Sequence, residues 1–199
     1  QTCALPIYRF AVRLCTILNL DRDLIPVYAY GLELLLASTL NILLIIFAAC
    51  LFHVPYAGLF FLLAFIPLRV TAGGFHASTH FRCTLVCMAT FILTIALTRC
   101  IHDVYRPIVS MALCLFDLAT VVCLAPVEAI QKPLTTSEQR INRRRSLFLA
   151  ILFCAVPALS LNRRFTSAIL FFSFGVFSAA TSQIAGKIQA KIEGRGTHE

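Results

Sequence analysis

Six apolar segments dominate this chain, and most of them are close to the length that a helix needs to cross a lipid bilayer. They run from about 34 to 52, 54 to 68, 84 to 98, 108 to 127, 147 to 161 and 165 to 184. A bilayer-spanning helix needs about 20 apolar residues, with a range of about 17–25. Three of the segments are shorter than this range, so four spans with two partial insertions are the alternative to six spans.

Charged residues are too few for a protein that faces water on all sides. Only 13% of the 199 residues are charged and 59% are hydrophobic, whereas soluble domains carry about 25% charged residues. We therefore predict an all-α fold, a polytopic membrane helix bundle with about six transmembrane segments. The net charge of +8 does not indicate nucleic-acid binding, because the basic residues lie between apolar segments.

The chain is predicted to be a single integral membrane domain over residues 1–199. Residues 1–25 are expected to form an interfacial amphipathic helix, because apolar residues recur there at helical spacing with Arg9 and Arg13 between them. Residues 26–186 are expected to form the helix bundle and residues 187–199 a cytoplasmic tail. We expect the lipid bilayer to be the surroundings of the bundle.

The distribution of Lys and Arg predicts the orientation of the chain in the membrane. With six spans, the N-terminal segment, the 69–83 loop, the 128–146 loop and the C-terminal tail share one side and hold thirteen basic residues. The other side holds four. Because basic loops stay on the cytoplasmic side, both termini and the 69–83 loop are predicted to be cytoplasmic, in a multi-pass plasma-membrane protein.

A polar island over residues 69–83 interrupts the apolar pattern and carries the most reactive groups in the chain. It contains Arg69, the pair Gly73-Gly74, His76 and Cys83. A thiolate is a strong nucleophile, and a histidine can take the thiol proton and later deliver a proton to a leaving amine. We interpret His76 and Cys83 as the catalytic pair of an intramembrane or juxtamembrane cysteine peptidase.

The separation of seven residues between His76 and Cys83 restricts the backbone conformations in which the two side chains can meet. On one straight helix, seven residues span roughly 10 Å, too far for a hydrogen bond, so the chain must turn between His76 and Cys83 or place them on different elements. Gly73 and Gly74 allow a non-helical backbone before His76. If Cys83 lies near the start of the third apolar helix, the helix dipole favours its thiolate.

Two carboxylates in or beside apolar segments are candidates for a third catalytic group. Glu33 begins the first segment, and Asp117 lies in the middle of the fourth. An ionisable group at membrane depth needs a partner and is a functional candidate. Either residue could orient His76 or pair with Arg69. For Asp117 a structural role or a polar cavity is the favoured interpretation.

A metal site competes with the peptidase interpretation. His76, His80, Cys83 and Cys87 follow one another at spacings of four, three and four residues, and all four are good zinc ligands. One straight helix cannot place four ligands tetrahedrally around an ion, so we expect no metal and no other cofactor. The remaining cysteines lie mostly in apolar segments, where free Cys behaves as a small hydrophobe.

The polar connector after the fourth segment is the most basic part of the chain. Thr135 and Glu138 have the spacing of a capping box, which predicts the start of a short helix. Its basic residues are either an anchor on the cytoplasmic side or a surface that receives an acidic peptide. The candidate substrate-binding residues are Arg82, Lys132, Arg143, Arg144 and Arg145.

Taken together, these residues resemble the accessory gene regulator B (AgrB) family of membrane cysteine endopeptidases. The resemblance rests on Arg69, on the stretch Gly73-Gly74-Phe75-His76-Ala77 with Cys83 at the family's spacing, and on two flanking features. These are Tyr30-Gly31-Leu32-Glu33 and Lys132-Pro133. Phe75 stands where Tyr is common, and Gln131 where Asn is expected. The similarity covers about residues 25 to 190.

This resemblance implies a function in quorum sensing. His76 and Cys83 would be the catalytic pair, with Glu33, Arg69, Gly73 and Gly74 as supporting residues. The substrate would be a short autoinducer precursor peptide (AgrD-like), cut through a Cys83 thioester and cyclised to a thiolactone or lactone. The resemblance also implies a homodimer. The alternatives are a small transporter or peptide exporter without covalent catalysis, and a structural or sensor-partner membrane protein.

Overall fold

A computed structural model describes residues 4–17, 25–74, 80–127, 135–158 and 165–196 of the chain. These residues form seven helices and no strand, which confirms the predicted all-α fold. The helices are α1 Ala4–Ile17, α2 Ile25–Leu51, α3 Pro55–Ala72, α4 His80–Cys100, α5 Arg106–Leu124, α6 Thr136–Ala155 and α7 Thr166–Gly196.

The six apolar segments of the sequence correspond to helices α2 to α7. Among the described residues, five helices are long and apolar enough to cross a membrane, namely α2, α3, α4, α5 and α7. The remaining helix, α6, combines the apolar segment that begins at 147 with the basic connector before it. The expected short helix is therefore part of a continuous helix of 20 residues, because no residue between Glu138 and Ala155 interrupts the helical backbone.

The start of α6 is fixed by the predicted capping box. The Glu138 backbone N–H donates to Thr135 Oγ1 at 3.3 Å, and the Thr135 N–H donates to Glu138 Oε2 at 2.9 Å. These two bonds satisfy amides that the first helical turn would otherwise leave unpaired. Arg140, Arg143, Arg144 and Arg145 are thus held on a regular helix rather than on a loop.

The chain divides into two compact units, Gln1–Leu44 and Ile45–Glu199. The first unit contains α1 and most of α2. On α1 the side chains of Tyr8, Arg9, Phe10 and Arg13 are exposed. The apolar positions Ile7, Ala11, Leu14 and Leu18 lie outside the described side chains. The second unit contains the end of α2 and helices α3 to α7.

Helix α7 is the centre of the second unit. In its most apolar stretch of 18 residues, 72% are buried, against 39% or less in the other four candidate spans. It packs against α3, α4 and α5, and α6 packs against α3 and α5. Since lipid tails give little hydrophobic drive for helices to associate, close packing of small residues must supply the attraction. Gly175 serves this purpose: a Cβ there would lie 3.0 Å from Ala64 Cβ and overlap the Phe61 carbonyl.

Contacts between the helices show which ends lie together. Helices α3 and α7 run in the same direction, because Gly175 adjoins Phe61 and Ser182 contacts Arg69. Helix α5 is parallel to them, since Arg106 bonds to Ser167 and Phe116 packs on Phe177. Helix α6 is antiparallel to α5: Cys154 contacts Cys114, while Ala150 packs with Ala125.

One end of the second unit therefore brings several helix ends together. It contains the C-terminal ends of α3, α5 and α7 and the N-terminal ends of α4 and α6. We call it the site end, because Arg69, Gly73, Gly74 and Cys83 lie there. At the opposite end, Arg106 contacts Asp103 and donates to Ser167 Oγ, and Arg99 donates to the Phe52 carbonyl.

Candidate active site

Cys83 lies in the fourth position of α4, with its side chain half-buried. This position meets the condition, set out from the sequence, that Cys83 lies near the start of the third apolar helix. The first amides of a helix have no intrahelical partners and point out of its N-terminal end. That end therefore favours a negative charge, either on a thiolate or on an oxyanion formed beside it.

His76 lies within residues 75–79, outside the described part of the structure. The described chain stops at Gly74 and resumes at His80, whose side chain is also outside the description. The proximity of the His76 imidazole to the Cys83 sulfur therefore stays a prediction. The described part of α4 begins at His80, so the expectation that the two residues do not share one straight helix also stays a prediction.

The Cys87 thiol is hydrogen-bonded to Cys83, one helical turn earlier. Both side chains are half-buried. Within the described ranges, no group of three His, Cys, Asp or Glu residues lies close enough to hold a metal ion. The side chains of His76 and His80, the two histidines of the zinc alternative, are not described, so this alternative is tested by metal analysis of the purified protein and by Cys87→Ala, which a peptidase should tolerate.

Arg69 brings a positive charge to the two thiols. It lies half-buried in the last turn of α3. Its electrostatic interaction with Cys83 is stronger than its interaction with Cys87. Its Nη1 donates a hydrogen bond of 2.9 Å to Ser182 Oγ on α7. A cation in this place favours the ionised form of a neighbouring thiol. The structure thus places this predicted supporting residue beside Cys83.

Gly73 ends α3. Its φ is 75°, a left-handed value at which a side chain is strained. A Cβ at this position would overlap the Val127 carbonyl oxygen. The Val127 N–H in turn donates to the Ala72 carbonyl at 2.9 Å. The segment after α5 thus closes over the end of α3, and only glycine leaves it room.

Gly74 permits an equally close approach on the other side of the chain. Its φ is 142°, also in the region that favours glycine. A Cβ there would overlap the Arg69 guanidinium and would lie 2.7 Å from Ser182 Oγ. Gly74 is therefore packed against the predicted supporting residue Arg69, and Gly73 against Val127. This arrangement can hold a cation that interacts with the Cys83 thiol.

The two candidate carboxylates lie in different parts of the fold. Glu33 is half-buried on α2 in the first unit. Asp117 is fully buried on α5, near Cys114 and Cys154. Neither of its carboxylate oxygens has a hydrogen-bond partner within the described ranges. A third catalytic role for either carboxylate stays a prediction, because the His76 ring that it would orient is not described.

The candidate substrate-binding arginines are exposed. Arg82 is exposed on α4, next to Cys83. Arg143, Arg144 and Arg145 are exposed on α6. They immediately precede Ser146 and Leu147, and Leu147 packs against the cluster of Ala72, Val121 and Ala125 at the site end. The three arginines are thus at the same end of the second unit as Cys83. Lys132 lies outside the described residues.

Ser182 is a site residue that the sequence analysis missed. It belongs to the polar triplet Thr181-Ser182-Gln183 inside an otherwise apolar segment. A triplet of polar residues in such a segment is the signal that could have pointed to it. The Gln183 side chain is fully buried, and among the described residues neither of its amide atoms has a hydrogen-bond partner.

Comparison with known proteins gives one match. The model of the family described as accessory gene regulator B, AgrB, matches residues 7–184 of the chain. No curated protein and no solved structure matches. The matched range includes all seven helices except the first residues of α1 and the end of α7, and it contains every candidate site residue.

Proposed function

Since the chain belongs to the accessory gene regulator B family, multi-pass membrane proteins that process quorum-sensing peptides, we propose that it is a cysteine endopeptidase acting on a short autoinducer precursor. The observation that carries this proposal is the half-buried Cys83 thiol at the N-terminal end of α4, beside the Arg69 guanidinium. A thiol in such surroundings is suited to act as a nucleophile.

In the first step, the Cys83 thiolate attacks the carbonyl carbon of the bond to be cut. The oxyanion that forms would lie near the amides at the start of α4, which can stabilise it by hydrogen bonds. The C–N bond then breaks, and the His76 imidazolium gives its proton to the departing amine. The C-terminal part of the precursor leaves, and the N-terminal part stays on Cys83 as a thioester.

In the second step, a Cys or Ser within the precursor attacks the thioester carbonyl. His76 accepts the proton of the attacking group, the carbon–sulfur bond to Cys83 breaks, and a thiolactone or lactone ring closes. The reaction restores the Cys83 thiolate and the His76 imidazolium with which the first step began. Water must be kept away from the thioester until the ring closes. The half-burial of Cys83 between helices supports this requirement.

The cleavage mechanism is tested by trapping the thioester. The protein purified in detergent is mixed with a precursor whose internal Cys or Ser is replaced by Ala, so that the ring cannot close. Mass spectrometry is expected to find the N-terminal precursor fragment attached to Cys83. Cleavage of the precursor without any adduct on Cys83 would overturn the proposal.

The exposed arginines of α6 are proposed to receive an acidic C-terminal segment of the precursor. This recognition is supported by their position at the site end, one helical turn before Leu147. Because the precursor must present its cut bond to Cys83 at the same end, an acidic tail bound here would hold it in place. The same basic side is proposed to face the cytoplasm, and a homodimer stays a prediction of the resemblance.

We expect the double variant Arg143→Gln/Arg144→Gln to lower kcat/KM for a precursor with an acidic tail roughly 5- to 20-fold at low salt. The difference from wild type should shrink as salt is added, since exposed charges are screened over about 10 Å at 0.1 M salt. Initial rates at several salt concentrations measure this effect.

The matched control for these arginines is Arg9→Gln/Arg13→Gln, which removes the same charge from exposed positions of α1. It should change the rate little. A precursor with a neutral tail should be processed equally by wild type and by the α6 variant. Equal loss with both precursors would contradict recognition of an acidic tail by these arginines.

A further inference from the structure

We propose that Ser182 on α7 is a positioning residue that holds the Arg69 guanidinium beside the Cys83 sulfur. This inference rests on the proposed function for its catalytic consequence, but it concerns a residue outside the motif of residues 69–83. Its basis is the hydrogen bond of 2.9 Å that Arg69 Nη1 donates to Ser182 Oγ, across 113 positions of the chain.

The position of Arg69 needs an explanation that α3 does not provide. A long basic side chain near the end of a membrane helix ordinarily extends toward the headgroups and water. Arg69 is instead half-buried between helices, while the next residue, Val70, is 74% exposed. The Ser182 hydroxyl is an acceptor that fixes the guanidinium in this inward orientation. It stands on α7, the most buried helix of the unit.

The geometry around Gly74 shows that this contact is tightly packed. A Cβ at Gly74 would overlap Arg69 Nη1 and would lie 2.7 Å from Ser182 Oγ and 3.0 Å from the Ser182 carbonyl carbon. The guanidinium, the hydroxyl and the glycine backbone thus meet at one point. The glycine is also the last described residue before His76 in the chain. Ser182 therefore contacts both the cation and the glycine that precedes the His76 segment.

Charged and titratable groups near Cys83 come from both α3 and α4. From α3 there is Arg69, and from α4 there is Cys87, which is hydrogen-bonded to Cys83. Arg82 is adjacent in sequence but exposed. His76 and His80 belong to the parts whose side chains are not described. Arg69 is a cation that acts on the nucleophile, and the Ser182 hydroxyl is bonded to its guanidinium.

The test measures the ionisation of Cys83 directly, without a precursor. Purified Ser182→Ala and wild-type protein are alkylated with iodoacetamide from pH 6 to 10, and the rate at Cys83 is read from peptide fragmentation spectra, which separate it from Cys87. Because the displaced cation no longer favours the thiolate, alkylation of Ser182→Ala at pH 7 should be slower by on the order of 3- to 10-fold. The two rate curves should converge at high pH, where the thiol is ionised in both proteins.

Two further variants exclude a merely structural effect. Ser182→Thr keeps the hydroxyl and should restore the wild-type curve. Thr181→Ala removes the adjacent hydroxyl, which is exposed and donates to the Ser178 carbonyl of its own helix at 3.0 Å. It should leave the curve unchanged.

Two results would overturn the role of Ser182. One is an unchanged alkylation curve in Ser182→Ala. The other is a curve lowered equally at every pH, which would indicate altered access to the thiol rather than altered charge. Failure of the wild-type protein to cleave any precursor would instead count against the proposed function and would leave the alkylation result standing.

Discussion

Cys83→Ala is expected to reduce precursor cleavage to the background rate. Without the sulfur no thioester can form, and neither His76 nor Arg69 can replace a nucleophile. Removal of a catalytic nucleophile in well-studied proteases costs on the order of a million-fold in kcat, so the loss here should exceed the range of the assay. Mass spectrometry of precursor and products, incubated with protein in detergent, measures the rate.

The control for Cys83→Ala is Cys100→Ala, at the other end of the same helix. Cys100 is exposed and belongs to the end of α4 that lies away from Arg69 and Gly74. Its substitution should leave the rate unchanged. Product formation by Cys83→Ala at the wild-type rate would refute covalent catalysis. It would then favour the alternative of a transporter or exporter that has no covalent chemistry.

Gly74→Ala is expected to lower kcat/KM by on the order of 100-fold or more. The added Cβ would overlap the Arg69 guanidinium and crowd Ser182 Oγ, at a backbone φ of 142° that side chains rarely adopt. The backbone must move, the guanidinium must move, or both. Either movement displaces the cation that acts on Cys83 or the chain that leads to His76, and small displacements of catalytic groups have large effects on rate.

The control for Gly74→Ala is Gly31→Ala, because a Cβ at Gly31 meets nothing within 4 Å. Gly31 lies inside α2, where alanine is favoured over glycine by about 1 kcal/mol. This variant should keep full activity. Thermal unfolding in detergent separates loss of fold from loss of catalysis: Gly74→Ala should unfold cooperatively near the wild-type temperature. Wild-type turnover by Gly74→Ala would show that the close packing at Arg69 is not needed.

Several features of the site were predictable from local sequence. The position of Cys83 near a helix start follows from where the polar island gives way to the third apolar segment. The capping box at Thr135 and Glu138 was also predicted, because its two hydrogen bonds join residues three positions apart. Interactions of this kind depend on neighbours in the chain, so the amino-acid pattern contains the information they need.

The length of α6 was not predicted, because charge and apolarity change sharply between Arg145 and Leu147. That change suggested two elements, a short helix in the polar connector and a separate apolar segment. Helix propagation depends on backbone hydrogen bonds, which both kinds of residue can form equally well. A helix can therefore continue without a break from a charged stretch into an apolar stretch.

By itself, the sequence determined that the chain is a helical membrane protein and which residues carry its reactive groups. These properties follow from segment length, hydrophobicity and residue type. Tertiary structure alone decided that Ser182 and Val127 belong to the surroundings of Gly73, Gly74 and Arg69. Their contacts join distant positions of the chain. Such contacts depend on the relative direction of the helices and on how closely they pack. The hydrophobic pattern of a single segment specifies neither property.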